Sequence, residues 1–266
     1  MAPIAYLTHG GGPLPLLGDP GHQQLVASLQ SLAAALPRPK AIILVSAHWE
    51  AEQATVTGAA QPELIYDYYG FPEAAYQLRY PAPGDPALAQ SLVERLQAAG
   101  LAAGIDTRRG FDHGMFVPLS LMFAQASVPV VQLSLLHSLD PAAHLAMGRA
   151  LAPLLEGPTG QQVMLIGSGS SFHNMQVLMG RGGPQAGPAN LAFEQWLQDT
   201  CCDPALAIDE REQRLTDWQQ APHARFCHPR EEHLLPLLVC AGAAGRPAAR
   251  VFKGAMGAVQ VSSLLW

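Results

Sequence analysis

Three histidines stand where buried-looking apolar runs break off: His9 in "IAYLTHGGGP", His48 in "IILVSAHWE" and His173 in "VMLIGSGSSFHN". A fourth, His233 in "HPREEHLLPLL", lies beside Glu231 and Glu232 near the start of an expected helix after Pro229. Near neutral pH an imidazole either offers a lone pair or carries a proton, so histidine serves both ligand binding and acid–base work. Polar side chains at the C-terminal ends of strands are also where open α/β sheets build ligand sites. A single histidine at a strand end is ordinarily a hydrogen-bonded structural residue. Four in such contexts point to one shared site. Glu231 and Glu232 have two readings, as contributors to that site or as first-turn acids favoured by a helix dipole.

His113, in "RRGFDHGMFVPL", differs in kind. Asp112 and His113 are embedded among Phe111, Met115, Phe116 and Val117, where an unpaired charge is costly, so the pair must be hydrogen-bonded or used. His113 reads as a proton-handling or substrate-orienting residue. The remaining histidines lack polar company: His22, His137 and His144 read as surface residues, while His223 and His228 flank the His233 segment as candidates to line its mouth.

These residues need a sheet to position them. Short apolar runs alternate with longer amphipathic stretches, the pattern of helices packed on a central sheet. Strands are expected at Ile4–Leu7, Ala41–Ser46, Val128–Leu133, Val163–Ile166, Val251–Phe252 and Ala258–Ser262. Gly21–Leu36 repeats Leu25, Leu29 and Leu32 at helical spacing and stops at Pro37 and Pro39. Pro86–Ala99 and Pro141–Leu155 each open with proline behind an aspartate, Asp85 or Asp140, as capped helices do. A further helix is expected from about Ala189 to Cys201, after the turn-rich "RGGPQAGP" at 181–188, and another at about Pro118. With no repeat and no boundary, residues 1–266 read as a single α/β domain: a central, mostly parallel or mixed sheet flanked by helices, with the site at the strands' C-terminal ends.

Composition removes several function classes. The 266 residues are 49% hydrophobic and 14% charged, with a formal charge of −6 and lysine only at Lys40 and Lys253. No basic cluster offers a surface for nucleic acid or anionic membrane, and no run reaches the roughly 18 apolar residues of a membrane span. The start of the chain lacks the basic-then-apolar pattern of a secretory signal, so a cytoplasmic location is expected. Cys201, Cys202, Cys227 and Cys240 show no metal spacing and read as reduced thiols. "HGGGP" fits neither nucleotide-loop spacing, and "GSGSS" has the wrong register for a nucleophile elbow. The apolar end "VQVSSLLW" suits packing on the chain's own core or on a second copy, leaving a homo-oligomer open.

Taken in order, "THGGGP", "VSAHWE", "YGFPEAAYQLRYPAPGDP", "RGFDHGMFVPL", "VVQLSL", "IGSGSSFHNM" and "HPREEHLLPLL" resemble the class III extradiol ring-cleavage dioxygenases. The resemblance spans nearly the whole chain and is to the single-chain, 4,5-DOPA dioxygenase extradiol-like group, related to the catalytic subunit of protocatechuate 4,5-dioxygenase. It implies an enzyme that opens a catecholic ring with O₂ on a divalent metal. Iron(II) is the metal of the ring-cleaving members, and zinc is associated with bacterial members of the single-chain group. Carried over by position, His9 and His48 match the most widely shared ligands. His173 matches a ligand in the zinc-bound description and the base in two-subunit relatives. His233 matches the last ligand, with Glu232 the neighbouring carboxylate alternative, and His113 matches a histidine near the substrate. The implied metal set is thus His9, His48, His173 and His233, with His113 and His173 as catalytic groups.

Two histidines plus a carboxylate would suit oxygen-activating iron(II), and an all-histidine tetrahedral set would suit zinc. The stretch "LIYDYYGFP", Leu64 to Pro72, together with Trp49 is a candidate wall for a planar ring. Two other readings remain: a zinc-dependent hydrolase with Glu232 as base, and a non-enzymatic binding protein of the related Memo type.

Overall fold

The computed structural model describes residues 2–156 and 163–266. Its centre is one eight-stranded sheet: β1 (Ile4–Thr8), β2 (Ala41–Ala51), β3 (Ala54–Thr57), β4 (Ala103–Asp106), β5 (Val130–Leu136), β6 (Val163–Gly169), β7 (Arg250–Met256) and β8 (Val259–Leu265). In space the order is β4-β3-β5-β2-β6-β1-β8-β7. The four central strands, β5, β2, β6 and β1, pair in parallel, and antiparallel pairs appear only toward the margins, at β3/β5, β1/β8 and β8/β7. Such a mixed sheet agrees with the expected architecture. β1 and β6 are buried along their whole length, as is β2 through Ala47. That explains why they read as continuous apolar runs without alternation.

The helices are α1 (Gln23–Ala35), α2 (Pro86–Ala98), α3 (His113–Met122), α4 (Pro141–Leu155), α5 (Met175–Leu178), α6 (Ala186–Cys202), α7 (Ile208–Thr216), α8 (Ala224–Cys227) and α9 (Leu235–Ala244). The Asp85 carboxylate accepts from the Leu88 N–H at 2.9 Å and Asp140 from Ala142 at 3.1 Å, as the Asp-Pro starts require. α9 is buried all round and lies against α4 and β6. Gly148 and Gly242 allow the close crossing, because a Cβ on either would collide with the opposing helix's backbone. Among the described residues, no helix is long and apolar enough to cross a membrane.

Several boundaries move. β2 does not stop at Ser46 but continues to Ala51 through an irregularity. Val45 pairs with Leu133 and Glu50 with Leu135, so Ser46–Trp49 of β2 stand opposite Ser134 alone. A bulge of this kind bends a strand and re-aims its side chains, and His48 lies on it. The short β3 and β4 were not expected. α3 starts at His113 itself rather than near Pro118, α6 begins at Ala186 inside the expected connection, and α9 begins only after His233. The apolar end of the chain is accounted for by β8, an interior strand between β1 and β7.

Candidate metal centre

β2, β6 and β1 are neighbours, so their C-terminal ends open onto one place. His9 follows β1 directly, its N–H donating to the Gly169 carbonyl of β6 at 3.0 Å. His48 rides the β2 bulge, and His173 follows β6, its N–H tied to the Cys227 carbonyl at 3.0 Å. His113 is the first residue of α3. His233 precedes α9, and its carbonyl accepts from the Ser170 N–H at 2.9 Å and the Tyr6 hydroxyl at 3.0 Å. All five histidines singled out in the sequence converge. Ring centroids of His9 lie 4.8 Å from His48, 5.5 Å from His113 and 5.3 Å from His233, and His173 stacks on His233 at 3.4 Å.

Their hydrogen bonds assign the tautomers. The Ser168 hydroxyl donates to the Gly114 carbonyl, so at 3.1 Å its oxygen accepts from His9 Nδ1–H. Asp67 Oδ1 accepts from His113 Nδ1–H at 2.8 Å and from the His113 backbone N–H at 2.9 Å, while Oδ2 stands 3.8 Å from His48 Nδ1. Glu232 Oε1 accepts from His233 Nδ1–H at 2.9 Å and lies 3.4 Å from His173 Nδ1. His9, His113, His173 and His233 are thus oriented through Nδ1, which leaves their Nε2 lone pairs free, whereas His48 Nδ1 faces Asp67 from beyond hydrogen-bond distance.

Two of the ring nitrogens meet. His9 Nε2 and His48 Nε2 are 3.0 Å apart, so they are joined either by a proton carried on His48 Nε2 or by a cation between them. Burial first, then the neighbouring histidines, push both rings well below the ordinary imidazole value, so each is neutral near pH 7. Burial likewise pushes His233 down to about 3. Neutral imidazoles with free nitrogens are the donors a divalent transition ion needs. The donor set therefore fits a metal. The possible ligand atoms form two groups, His9 with His48 and His113, and His173 with Glu232 and His233, each within 4.8 Å. Burial acts to raise the two carboxylates, but hydrogen bonds from His113 to Asp67 and from His173 and His233 to Glu232 outweigh it and hold both below the usual range.

Other expectations are corrected. Trp49 is not beside the rings; it lies under Arg109, 4.5 Å from the guanidinium, in a cleft of about 560 Å³ that also holds Leu64 and includes none of the five histidines. The aromatic residues at the site are Tyr68, edge-on to His113 at 5.7 Å, and Phe71, packed on Tyr68 at 5.5 Å. Gly12, at φ +54°, lies where a Cβ would press on the Phe71 ring. His22 and His144 are buried, not surface residues. His22 accepts from the Gly11 N–H at 3.1 Å and pairs with Asp19 at 2.7 Å, bracing the glycine turn after His9. His144 bridges Asp140 and Leu136. His228 lines no mouth: it is fully buried between Phe193 and Trp218. Asp112 is fully buried as well, where burial raises its pKa, but it does not pair with His113. It accepts from Ser46, Arg109 and Gln132 and so ties the bulge to the start of α3.

Asp67 is the functional side chain that sequence reasoning missed. The available signal was a lone acid set among the aromatic residues of "LIYDYYGFP".

Comparison with known proteins identifies the family. The family described as the catalytic LigB subunit of aromatic ring-opening dioxygenase matches residues 4–261. Dioxygenase tasH of Hapsidospora irregularis is 43% identical over 264 residues, covering 92% of this chain and 78% of that protein. The 4,5-DOPA dioxygenase extradiol of Escherichia coli K12 is 37% identical over 242 residues, covering 91% and 84%. A crystal structure of an uncharacterized protein from the same bacterium superposes with a TM-score of 0.73 at 32% identity, covering 100% of this chain and 99% of that one. The chain belongs to the LigB family of aromatic ring-opening dioxygenases, as an enzyme of the extradiol class.

Proposed function

We propose that the substrate is a catechol, DOPA-like or otherwise substituted, and that its ring is opened by O₂ at a divalent metal held by His9, His48 and His233. The observation that carries this reading is the 3.0 Å approach of the Nε2 atoms of two neutral imidazoles, with His233 ring to ring at 5.3 and 4.9 Å from the same two histidines. When bound, the metal supplies electron transfer between the diol oxygens and O₂. The ring C–C bond next to the diol breaks and both oxygen atoms enter the product. Iron(II) is the metal proposed for turnover, with zinc as the ion that the all-histidine donor set would also accept.

The chain's own residues have separate tasks. His173 and His48 are the more accessible of the five side chains, at 23% and 21% exposure. His173, hydrogen-bonded through Nδ1 to Glu232, keeps Nε2 free to take the hydroxyl proton of an arriving catechol. His113, fixed by Asp67 and capped by Tyr68, faces His48 at 3.9 Å between ring centroids and is placed to return a proton. Tyr68 and Phe71 supply the apolar wall against which a planar ring packs and which excludes water. Glu232 is engaged on the Nδ1 side of both its histidines, which argues against its acting as the base of a hydrolase.

The test is oxygen uptake with DOPA and simple catechols after anaerobic reconstitution with iron(II), paired with elemental analysis of the protein as purified. Iron-dependent oxygen consumption with a new visible absorbance is expected. Turnover of no catechol across the panel would overturn the substrate assignment, and unchanged uptake in a metal-free preparation would overturn the metal.

A further inference from the structure

Asp67 touches two histidines to which different tasks have just been given. Its Oδ1 takes both the backbone N–H and the Nδ1–H of His113, at 2.9 and 2.8 Å, while Oδ2 lies 3.8 Å from His48 Nδ1. Among the described residues no side chain hydrogen-bonds to Oδ2, which leaves it available to His48. The two rings themselves are only 3.9 Å apart between centroids. Glu232 does the same for the other pair, so each carboxylate stands behind one histidine proposed to hold the metal and one proposed to move a proton.

Resting on the metal reading above, we propose that Asp67 is a shared positioning residue: one carboxylate, bonded to His113 and facing His48 Nδ1 so as to accept from it once Nε2 holds a cation, ties the affinity of the metal centre to the placement of the proton-handling histidine. The physical basis is the count of acceptors. A carboxylate has two oxygens and can accept from both rings, and a cation on Nε2 of His48 makes its Nδ1–H a stronger donor, drawing Oδ2 closer. An asparagine has one carbonyl oxygen and an NH₂ group that only donates. His113 presents two donors to that oxygen and His48 one, so the amide oxygen stays with His113. The NH₂ group then faces the Nδ1–H of His48, donor against donor.

This yields a signature that general loss of packing does not produce. In Asp67→Asn, affinity for cobalt(II), titrated into metal-free full-length protein, is expected to fall by roughly 10- to 100-fold, with a change in the visible cobalt spectrum. In His113→Ala it stays within about twofold of wild type, because Asp67 remains available to His48. The double variant Asp67→Asn/His113→Ala removes one of the two donors that hold the amide oxygen and leaves the residue-113 backbone N–H in even competition with His48, so affinity recovers in part toward wild type. Recovery on adding a second mutation is the expected result. Unchanged affinity in Asp67→Asn, or no recovery in the double variant, overturns the shared-acceptor role.

The underlying reading is checked by its own control. If His48→Ala binds cobalt as well as wild type, the metal assignment fails. If His48→Ala loses cobalt while Asp67→Asn binds normally, only the role of Asp67 fails. Should Asp67→Asn not fold, ¹⁵N NMR of histidine-labelled wild type with zinc bound decides: both His48 and His113 must carry their proton on Nδ1, and Nε2–H on either ring overturns the proposal.

Discussion

Glu194, on the buried face of α6, has no cation at contact distance among the described residues. Its Oε2 accepts from the Ser262 hydroxyl at 2.5 Å, and Oε1 has no hydrogen-bond partner. Tyr6, Cys227 and Lys253 are the titratable groups around it, and Lys253 is exposed on β7. Burial is the main reason its carboxyl is pushed up to about 7 from 4.5, with the nearby polar groups of Ser171, Ser262 and Gln198 acting in the opposite direction. Because the folded value is the higher one, the associated stability is fully present below about pH 4.5 and is lost as pH rises through about 7. The gap, at about 1.36 kcal/mol per pH unit, gives a limiting cost of about 3 kcal/mol. Most of that, about 2.5 kcal/mol, develops between pH 5 and 8.5.

Glu194→Gln keeps the shape and an acceptor for Ser262 but removes the charge. Its stability advantage over wild type should therefore widen by about 2.5 kcal/mol across that range, or about 5–10 °C in Tm for a chain of this size. Urea unfolding of both proteins at half-unit pH steps measures the difference, and the shared titration of the site histidines cancels in the comparison. A difference between variant and wild type that stays flat from pH 5 to 8.5 would refute the reasoning.

Three further predictions concern the site. His9→Ala and His48→Ala should each weaken metal binding by more than about 100-fold, beyond the range for residues that only orient a ligand, as read by metal content after gel filtration. His233→Ala should lose metal while Glu232→Gln weakens it only about tenfold, and the reverse ranking would put the carboxylate in the ligand set. Gly169→Ala should destabilise by about 1–3 kcal/mol and weaken metal binding, because a Cβ at the end of β6 runs into the His233 carbonyl and displaces the turn that holds His233. Urea titration and cobalt titration of the same sample separate the two effects.

What was legible in the sequence was whatever depends on a short stretch of chain. Continuous apolar runs marked β1, β2 and β6 because strands buried on both faces need no alternation. The Asp-Pro pairs marked the starts of α2 and α4 because both capping partners lie within one turn. The histidines were visible because each interrupts such a run. Contacts between distant segments were not legible. His48 looked like the end of a strand, since the bulge that carries it exists only relative to β5. His22 and His144 looked like surface residues, since their partners, the Gly11 and Leu136 N–H groups, become neighbours only once the loops fold back. Trp49 was placed beside the ring-binding wall because it follows His48, but adjacent strand residues face opposite sides of a sheet.

Asp67 was missed for the same reason, and its absence from a sequence-only view changes the chemistry inferred. Five histidines alone describe a cluster of imidazole nitrogens with no reason to prefer a dication over a proton. Adding Asp67 and Glu232, both held ionised by the histidines they orient, places two negative charges directly behind four of the five rings. Arg230 offsets only part of this, 3.5 Å from Glu232 and committed to Glu50 at 2.7 Å. Free nitrogens in front and uncompensated carboxylates behind give a site whose charge is balanced by a divalent cation at the nitrogens. A single proton shared between His9 and His48 would leave it negative. On the proposed metal reading, the preference for a dication comes from the residues that do not touch it, which is why Asp67→Asn is the more informative variant than the loss of any one ligand.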